Sequence, residues 1–113
     1  MQWLKRTAQL LTPDGCVVAS IPNVGHWSVV ADLLEGRWDY AAAGIHCITH
    51  LRFFTRYGLE QLMTAAGLTL DAIEGIRLDP PQWFDVSGFH HHLTVDHESL
   101  ACFSYMVRAR LSL

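Results

Sequence analysis

The sequence predicts an α/β fold with three strands and flanking helices. Three observations lead to this prediction: an N-terminal segment with apolar residues at helical spacing, a run at residues 16–21 that is apolar except for Ser20, and two predicted strands, one with apolar and polar residues alternating at 68–72 and one at 101–111. Half of the 113 residues are apolar, and a chain of this length buries about two-thirds of its unfolded surface. We therefore expect residues 1–113 to form a single domain.

A turn separates the first predicted helix from the first strand. Residues 2–12 are predicted to form an amphipathic helix, because one stripe carries Trp3, Leu4, Ala8 and Leu11. Pro13 and Gly15 are typical of a type I turn that ends this helix. The run at residues 16–21 does not alternate apart from Ser20, which indicates a strand buried on both faces of a parallel sheet.

Pro22 ends the hydrogen bonding of this strand, so residues 23–27 are predicted to lie just past its carboxyl end. Ligands of open α/β sheets bind at that edge. Ser28 is predicted to cap a short helix, and Gly36 to end it. The inward-facing residues of this helix are expected to be Val30, Leu33 and Leu34.

The second half of the sequence alternates regular elements with long loops. Residues 37–54 have no clear period and are predicted to form a long loop or lid, as are residues 77–100. Thr55 is predicted to cap the helix between them, and Gly67 to end it. One stripe of that helix carries Leu59, Leu62, Met63 and Ala66. The inner face of the last strand is expected to carry Phe103, Tyr105, Val107 and Ala109.

Composition and charge exclude several classes of protein. The formal charge is −3, and no run of Lys or Arg provides a surface for nucleic acid or an anionic membrane. No apolar run approaches the roughly 20 residues that span a bilayer, and the N-terminus lacks a signal-peptide core. We expect a cytoplasmic protein with reduced cysteines, in which Cys16 and Cys102 pack in the core.

The balance of apolar and charged residues favours a partner. Only 17% of the residues are charged, and 11% are aromatic. Such a composition leaves more apolar surface than a small monomer buries easily. We therefore expect a homo-oligomer such as a dimer, or a fragment of something larger.

Three motifs carry a family resemblance. Residues 44–55 read GIHCITHLRFFT, residues 36–40 read GRWDY, and residues 16–23 read CVVASIPN. Together with the helix that follows, they resemble the C-terminal half of class I S-adenosylmethionine-dependent methyltransferases, particularly bacterial ones associated with sugars and cell-surface polysaccharides. The resemblance covers residues 3–76 well and the remainder only by topology.

The resemblance implies a partial Rossmann-like sheet made of the last three strands of the family fold. Residues 16–21 would be the fifth strand and residues 68–76 the sixth. Residues 101–111 would be the last strand, antiparallel and inserted between those two. The family's glycine-rich loop and its ribose-binding acidic residue have no counterpart in this sequence. S-adenosylmethionine is therefore expected to bind a missing N-terminal half of the parent protein, and no cofactor-binding residue is assigned in this chain.

The implied reaction is methyl transfer to a hydroxyl of a sugar or another small acceptor. Such a displacement needs aligned reactants and a base near the hydroxyl proton. His50, from the motif, and His26, past the first strand, are the candidate bases because histidine titrates near neutrality. Arg52 is the candidate for holding an anionic group of the acceptor. The other candidate acceptor-binding residues are Asn23, Trp27, Trp38 and Tyr40.

Each candidate also has a structural interpretation. His50 can hydrogen-bond loop backbone. Arg52 can pair with Asp39 or Glu60, or stack on an aromatic ring. The aromatic residues can serve packing alone. The family commonly has an Asp three residues before the motif histidine, where this chain has Cys47. We expect the chain by itself to be inactive.

Two further functions stay open. One is a non-catalytic module that uses the half-fold for dimerisation or acceptor binding, since an exposed apolar strand edge invites pairing with a second copy. The other, weaker one is a metal-binding domain based on the histidines at 90–92 and His97. Adjacent histidines in a strand point to opposite faces, and no pair here has the spacing of a zinc helix or a paired-cysteine knuckle. The sequence therefore predicts no native metal site, only adventitious binding of nickel or zinc.

Overall fold

The computed structural model of this chain describes residues 2–39 and 53–112. Of the predicted lid at residues 37–54, residues 40–52 lie outside this part. In chain order the described elements are α1 (Gln2–Leu10), β1 (Cys16–Pro22), α2 (Trp27–Leu34), α3 (Arg56–Ala65), β2 (Leu68–Arg77), a 3₁₀ helix (Ser87–His91), α4 (His97–Ala101) and β3 (Cys102–Leu111). None of these helices is long and apolar enough to cross a membrane.

The three strands form one sheet in the order β1-β3-β2. β3 pairs antiparallel with β1, from Cys16 opposite Arg110 to Pro22 opposite Ser104. It also pairs antiparallel with β2, with two register shifts. β1 and β2 consequently run parallel to each other, with the last strand between them. The fold is therefore α/β, with a three-stranded antiparallel sheet flanked by helices in the described residues.

α1 and α3 supply the helical side of the core. α3 is capped by Thr55, whose hydroxyl oxygen accepts from the Gly58 N–H at 3.1 Å. It ends before Gly67, whose φ of +78° favours glycine. Both predicted ends are confirmed. One stripe of each helix meets alternate residues of the strands in a core of Leu4, Ala8, Leu59, Leu62, Met63, Ala66, Leu68, Cys102, Tyr105, Val107 and Ala109.

Cys102 packs closely against a glycine of the neighbouring strand. A Cβ at Gly75 in β2 would collide with the Cys102 sulfur, so only glycine fits there. The thiol is 1% exposed, and burial raises its pKa, with a further contribution from its hydrogen bond to Glu98. The prediction that Cys102 is a core thiol is confirmed.

The prediction that β1 is buried on both faces is wrong. Its residues alternate between exposed and partly buried, and Val18 is 65% exposed. Cys16, which was expected in the core, is also exposed. The reason is that only one face of the described sheet packs against the core: Val17 and Ala19 lie on that face, whereas the opposite face is exposed even on the central strand, at Met106.

The predicted start and inner face of α2 are also wrong. Its N-cap is His26 and not Ser28, because the imidazole Nδ1 accepts from the Ser28 N–H. The buried residue of the helix is Val29. None of the three predicted inward-facing residues is fully buried: Val30, Leu33 and Leu34. Val30 and Leu34 stay accessible because they line an apolar cavity.

The connection at residues 77–100 is more regular than predicted. It contains the 3₁₀ helix and α4, whose N-cap Asp96 accepts from the Ser99 N–H at 3.0 Å. Each of these helices has five residues, which is too few for a helical period to show in the sequence. Ala101 ends α4, so β3 begins one residue later than predicted. Of the four predicted inner residues of β3, Phe103 is partly buried and the other three are buried: Tyr105, Val107 and Ala109.

Two leucines of opposite exposure test this description of the core. Leu59 is completely buried, whereas Leu10 is 85% exposed. We expect Leu59→Ala to lower the free energy of unfolding by about 2–5 kcal/mol, because it leaves a cavity. The control Leu10→Ala is expected to change it by less than about 0.5 kcal/mol. Urea denaturation measures both values, and equal losses would contradict the packing of α3 against the sheet.

Candidate functional site

The side chain of Asn23 joins three segments at the carboxyl end of β1, and it is completely buried. Its Nδ2 donates to the backbone oxygens of Ser99 and Cys102, both at 2.8 Å. These bonds use both hydrogens of the amide. Its Oδ1 accepts from the Gly25 N–H at 2.9 Å. Because Ser99 lies in α4 and Cys102 begins β3, Asn23 ties the end of the first strand to the start of the last.

The backbone amides of the loop after β1 all have partners. The Val24 N–H donates to the Phe54 oxygen at 3.0 Å. The N–H groups of Gly25 and His26 donate to the side-chain and backbone oxygens of Asn23, at 2.9 and 3.3 Å. A loop that holds the polar groups of a cofactor needs backbone amides free to face the ligand. The amides of residues 24–26 are therefore not available to hold S-adenosylmethionine.

His26 is completely buried, with both ring nitrogens engaged. Nε2 lies 2.8 Å from the Leu78 oxygen, and Nδ1 lies 2.8 Å from the Ser28 hydroxyl oxygen. Because a carbonyl oxygen only accepts, Nε2 carries the proton and Nδ1 is the acceptor. Burial lowers the pKa of His26, and the bond to the Leu78 carbonyl raises it by less. The ring is therefore neutral, and it would have to leave Ser28 to act as the predicted base.

Three aromatic side chains cluster beside His26. The indole N–H of Trp27 donates to the same Leu78 oxygen at 3.0 Å. The ring centroid of Trp27 lies 5.9 Å from that of Trp83 and 6.0 Å from that of Phe84. Trp83 is 69% exposed. The cluster therefore presents an aromatic face to solvent, which is typical of a surface that contacts a ligand.

An apolar cavity of about 460 Å³ lies next to the loop after β1. Gly25 forms part of its wall, and the apolar part of the wall includes Val30, Leu34, Val86, Phe89, Leu93 and Leu100. Its volume is within the range of small-molecule sites, which is about 300–1,000 Å³. It also lies at the edge of the sheet where α/β proteins bind ligands. The geometry therefore favours binding of a small molecule with an apolar face.

The structure also brings together two histidines that are seven residues apart. His90, in the 3₁₀ helix, and His97, the first residue of α4, have their Nε2 atoms 3.2 Å apart. Both line a second cavity, of about 350 Å³. Within residues 2–39 and 53–112, no group of three or more His, Cys, Asp or Glu side chains is positioned to hold a metal ion.

Three of the sequence-predicted site residues are neighbours, namely Asn23, His26 and Trp27. A fourth, Trp38, packs edge-on against Phe53, with 5.0 Å between the ring centroids. The other residues singled out in the lid lie outside the described residues: Tyr40, Cys47, His50 and Arg52.

Sequence reasoning missed Leu78, Ser99 and Trp83. Leu78 and Ser99 act through their backbone oxygens, and no side-chain pattern reports such a role. Trp83 did have a signal, because an aromatic pair follows Pro80 and Pro81 in a segment with no helical period.

Comparison with known proteins assigns no family to this chain. No protein-family model matches it, and a search of curated proteins finds no match. A functional assignment therefore depends on the residues and their geometry.

Asn23→Ala tests the polar contact at the end of β1. We expect it to lower the free energy of unfolding by about 3 kcal/mol or more, because two buried carbonyl oxygens lose their donor and the Gly25 N–H loses its acceptor. Asn23→Asp should cost a similar amount, since it turns a carboxylate toward those carbonyls. The control Gln61→Ala removes an exposed bond to Tyr57 and should cost less than about 0.5 kcal/mol. Chemical denaturation compares the three, and a small loss for both Asn23 variants would contradict this role.

The buried neutral His26 predicts a pH dependence of stability. Its pKa is lowered in the folded chain, so the unfolded chain, with a histidine pKa of about 6.5, binds the proton more readily. Stability should therefore be fully present above about pH 6.5 and fall as the pH drops below it. Denaturation between about pH 5.5 and 7.5 should show this slope in wild type and a flatter one in His26→Gln. His91→Gln is the control, and an unchanged slope in His26→Gln would contradict the assignment.

Proposed function

We propose that this chain is the C-terminal part of an S-adenosylmethionine-dependent methyltransferase with a Rossmann-like sheet. The parent protein would methylate a hydroxyl of a sugar or another small acceptor. The observation that carries the proposal is the position of β3, between β1 and β2 and antiparallel to both. The motifs at residues 16–23 and 44–55 support it independently.

The strand order is informative because these three strands alone give no local reason for it. β1 and β2 follow one another in sequence and run parallel, but they are not neighbours in the sheet. The space between them is one strand wide. Strands that follow one another in sequence are usually neighbours in the sheet. Here the last strand fills the gap. This is the order expected if β1 and β2 belong to a larger parallel sheet into which the last strand inserts.

In this proposal the described residues form the acceptor side of the site. The apolar cavity suits an apolar part of a small acceptor. The exposed Trp83, which lies outside the wall of that cavity, offers an aromatic surface on which an apolar face of a sugar ring can stack. Asn23 and neutral His26 fix the backbone at this edge of the sheet through hydrogen bonds to backbone oxygens. His50 is the candidate base, because both ring nitrogens of His26 already have partners.

The cofactor belongs to another part of the proposed protein. In the loop after β1 the N–H groups of residues 24–26 already donate to other residues of this chain, so they are not available to S-adenosylmethionine. We therefore assign the described residues no step that involves this cofactor. The proposal is that sequence outside residues 1–113 binds it.

The outer edge of β1 favours a second candidate function. Among the described residues β1 pairs with β3 alone, and its exposed face includes Val18. Unpaired strand edges associate with other strands. A non-catalytic module that dimerises through this edge is therefore the alternative.

The proposal is tested by calorimetric titration with S-adenosylhomocysteine, which needs no acceptor. Residues 1–113 should give no heat up to millimolar ligand. The polypeptide extended by its upstream coding sequence should bind at micromolar concentration, about −8 kcal/mol. In the extended protein, transfer of a labelled methyl group to sugar acceptors should fall by about 10²–10⁴-fold in His50→Gln, with S-adenosylhomocysteine binding unchanged. His91→Gln is the matched control.

Three outcomes would count against the proposal. Micromolar binding by residues 1–113 alone would contradict the location given to the cofactor site. An extended protein that neither binds S-adenosylhomocysteine nor transfers the methyl group would overturn the methyltransferase assignment. Absence of an upstream reading frame, combined with a dimer in sedimentation, would favour the non-catalytic module.

A further inference from the structure

The histidine pair at the second cavity has the geometry of two metal ligands. The Nε2 atoms of His90 and His97 lie 3.2 Å apart, and the ring centroids lie 5.1 Å apart with 32° between the planes. Two nitrogens at about 2.0–2.1 Å from a zinc ion, separated by the tetrahedral angle, are about 3.3–3.4 Å apart. The observed spacing is therefore close to that of two imidazoles that share one ion.

A shared hydrogen bond is the other explanation of this contact. In it one neutral ring donates its Nε2 hydrogen to the other. Both rings are exposed, so water competes with such a bond and its net stabilisation is only about 0.5–1.5 kcal/mol. A bound ion would instead satisfy a lone pair on each ring at once.

The charges around the pair favour a cation. Asp79 and Asp85 line the same cavity as the two histidines, together with Arg77. The Arg77 guanidinium donates to both carboxylate oxygens of Glu98, at 2.8 and 2.7 Å, and to Asp79 at 2.7 Å. The cavity wall therefore carries the two carboxylates of Asp79 and Asp85 and one guanidinium, and that guanidinium is shared with Glu98, which lies outside the wall. The cavity surroundings are electronegative, which attracts a positive ion.

We propose that His90 and His97 bind one divalent transition-metal ion of the zinc or copper class through their Nε2 atoms. Neutral imidazole is a ligand that these ions prefer, whereas magnesium and calcium prefer oxygen. The described residues offer no group of three ligands, so these two nitrogens are the ligands assigned among them, and the ion would face the cavity that both rings line. The ion would also join the 3₁₀ helix to α4. This site does not depend on the methyltransferase proposal.

The histidine run provides its own matched controls. Metal-free protein is titrated calorimetrically with Zn²⁺ and with Cu²⁺, and Mg²⁺ is the negative control. We expect one ion per chain, bound more tightly for Cu²⁺ than for Zn²⁺. His90→Ala and His97→Ala should each lower the metal affinity by at least about tenfold. Even the loss of a residue that only hydrogen-bonds to a metal ligand lowers affinity by about 10–100-fold. His91→Ala and His92→Ala remove one histidine from the same run and should change it by no more than about twofold.

A second measurement separates loss of the site from loss of the fold. Zn²⁺ should raise the thermal unfolding midpoint of wild type and of His91→Ala. It should not raise that of the His90→Ala/His97→Ala double variant. The midpoint of the double variant without metal should match wild type, because both rings are exposed.

Two results would overturn the proposal. If His91→Ala or His92→Ala weakens binding as much as His90→Ala does, the run binds an adventitious ion only. If wild type binds neither Zn²⁺ nor Cu²⁺ at millimolar concentration, the two rings share a hydrogen bond and hold no ion.

Discussion

The buried carboxamide of Asn23 is the contact on which the arrangement of this chain depends. It supplies donors to Ser99 and Cys102 and an acceptor to Gly25. Carbonyl oxygens at a buried helix end cost free energy unless they meet a donor, and α4 is only five residues long. Apolar burial drives the sheet together but has no direction. The position of β3 between β1 and β2 therefore also depends on this directional bond.

Leu78, the residue after β2, adds further hydrogen bonds at the same edge of the sheet. Its carbonyl oxygen accepts from His26 and Trp27, while the Leu78 N–H donates to Ala101 at 2.9 Å. Polar contacts thus join the ends of β1 and β2 to the segment that starts β3. Protonation of His26 is disfavoured because the charge would be buried in this network. A ligand at this edge would meet a backbone that is already fixed.

Two different surfaces share the segment between β2 and β3. The apolar cavity and the exposed aromatic side chain of Trp83 favour an uncharged ligand with an apolar face. The pair of His90 and His97 stands among carboxylates and favours a cation. Both cavities include Val86 and Leu100 in their walls, so their ligands would be neighbours.

The sequence by itself determined the ends of α3, at Thr55 and Gly67, because caps act within a few residues. It also predicted that Asn23 follows a strand end, though not which atoms it binds. It failed for β1, because the exposure of Val18 depends on which face of the sheet packs against the core, and an apolar run does not report that. Nothing in the sequence pairs Asn23 with Ser99, which lies 76 residues later. Only the tertiary structure decided that contact and the candidate site, since hydrogen bonds between distant segments depend on where their backbone atoms meet.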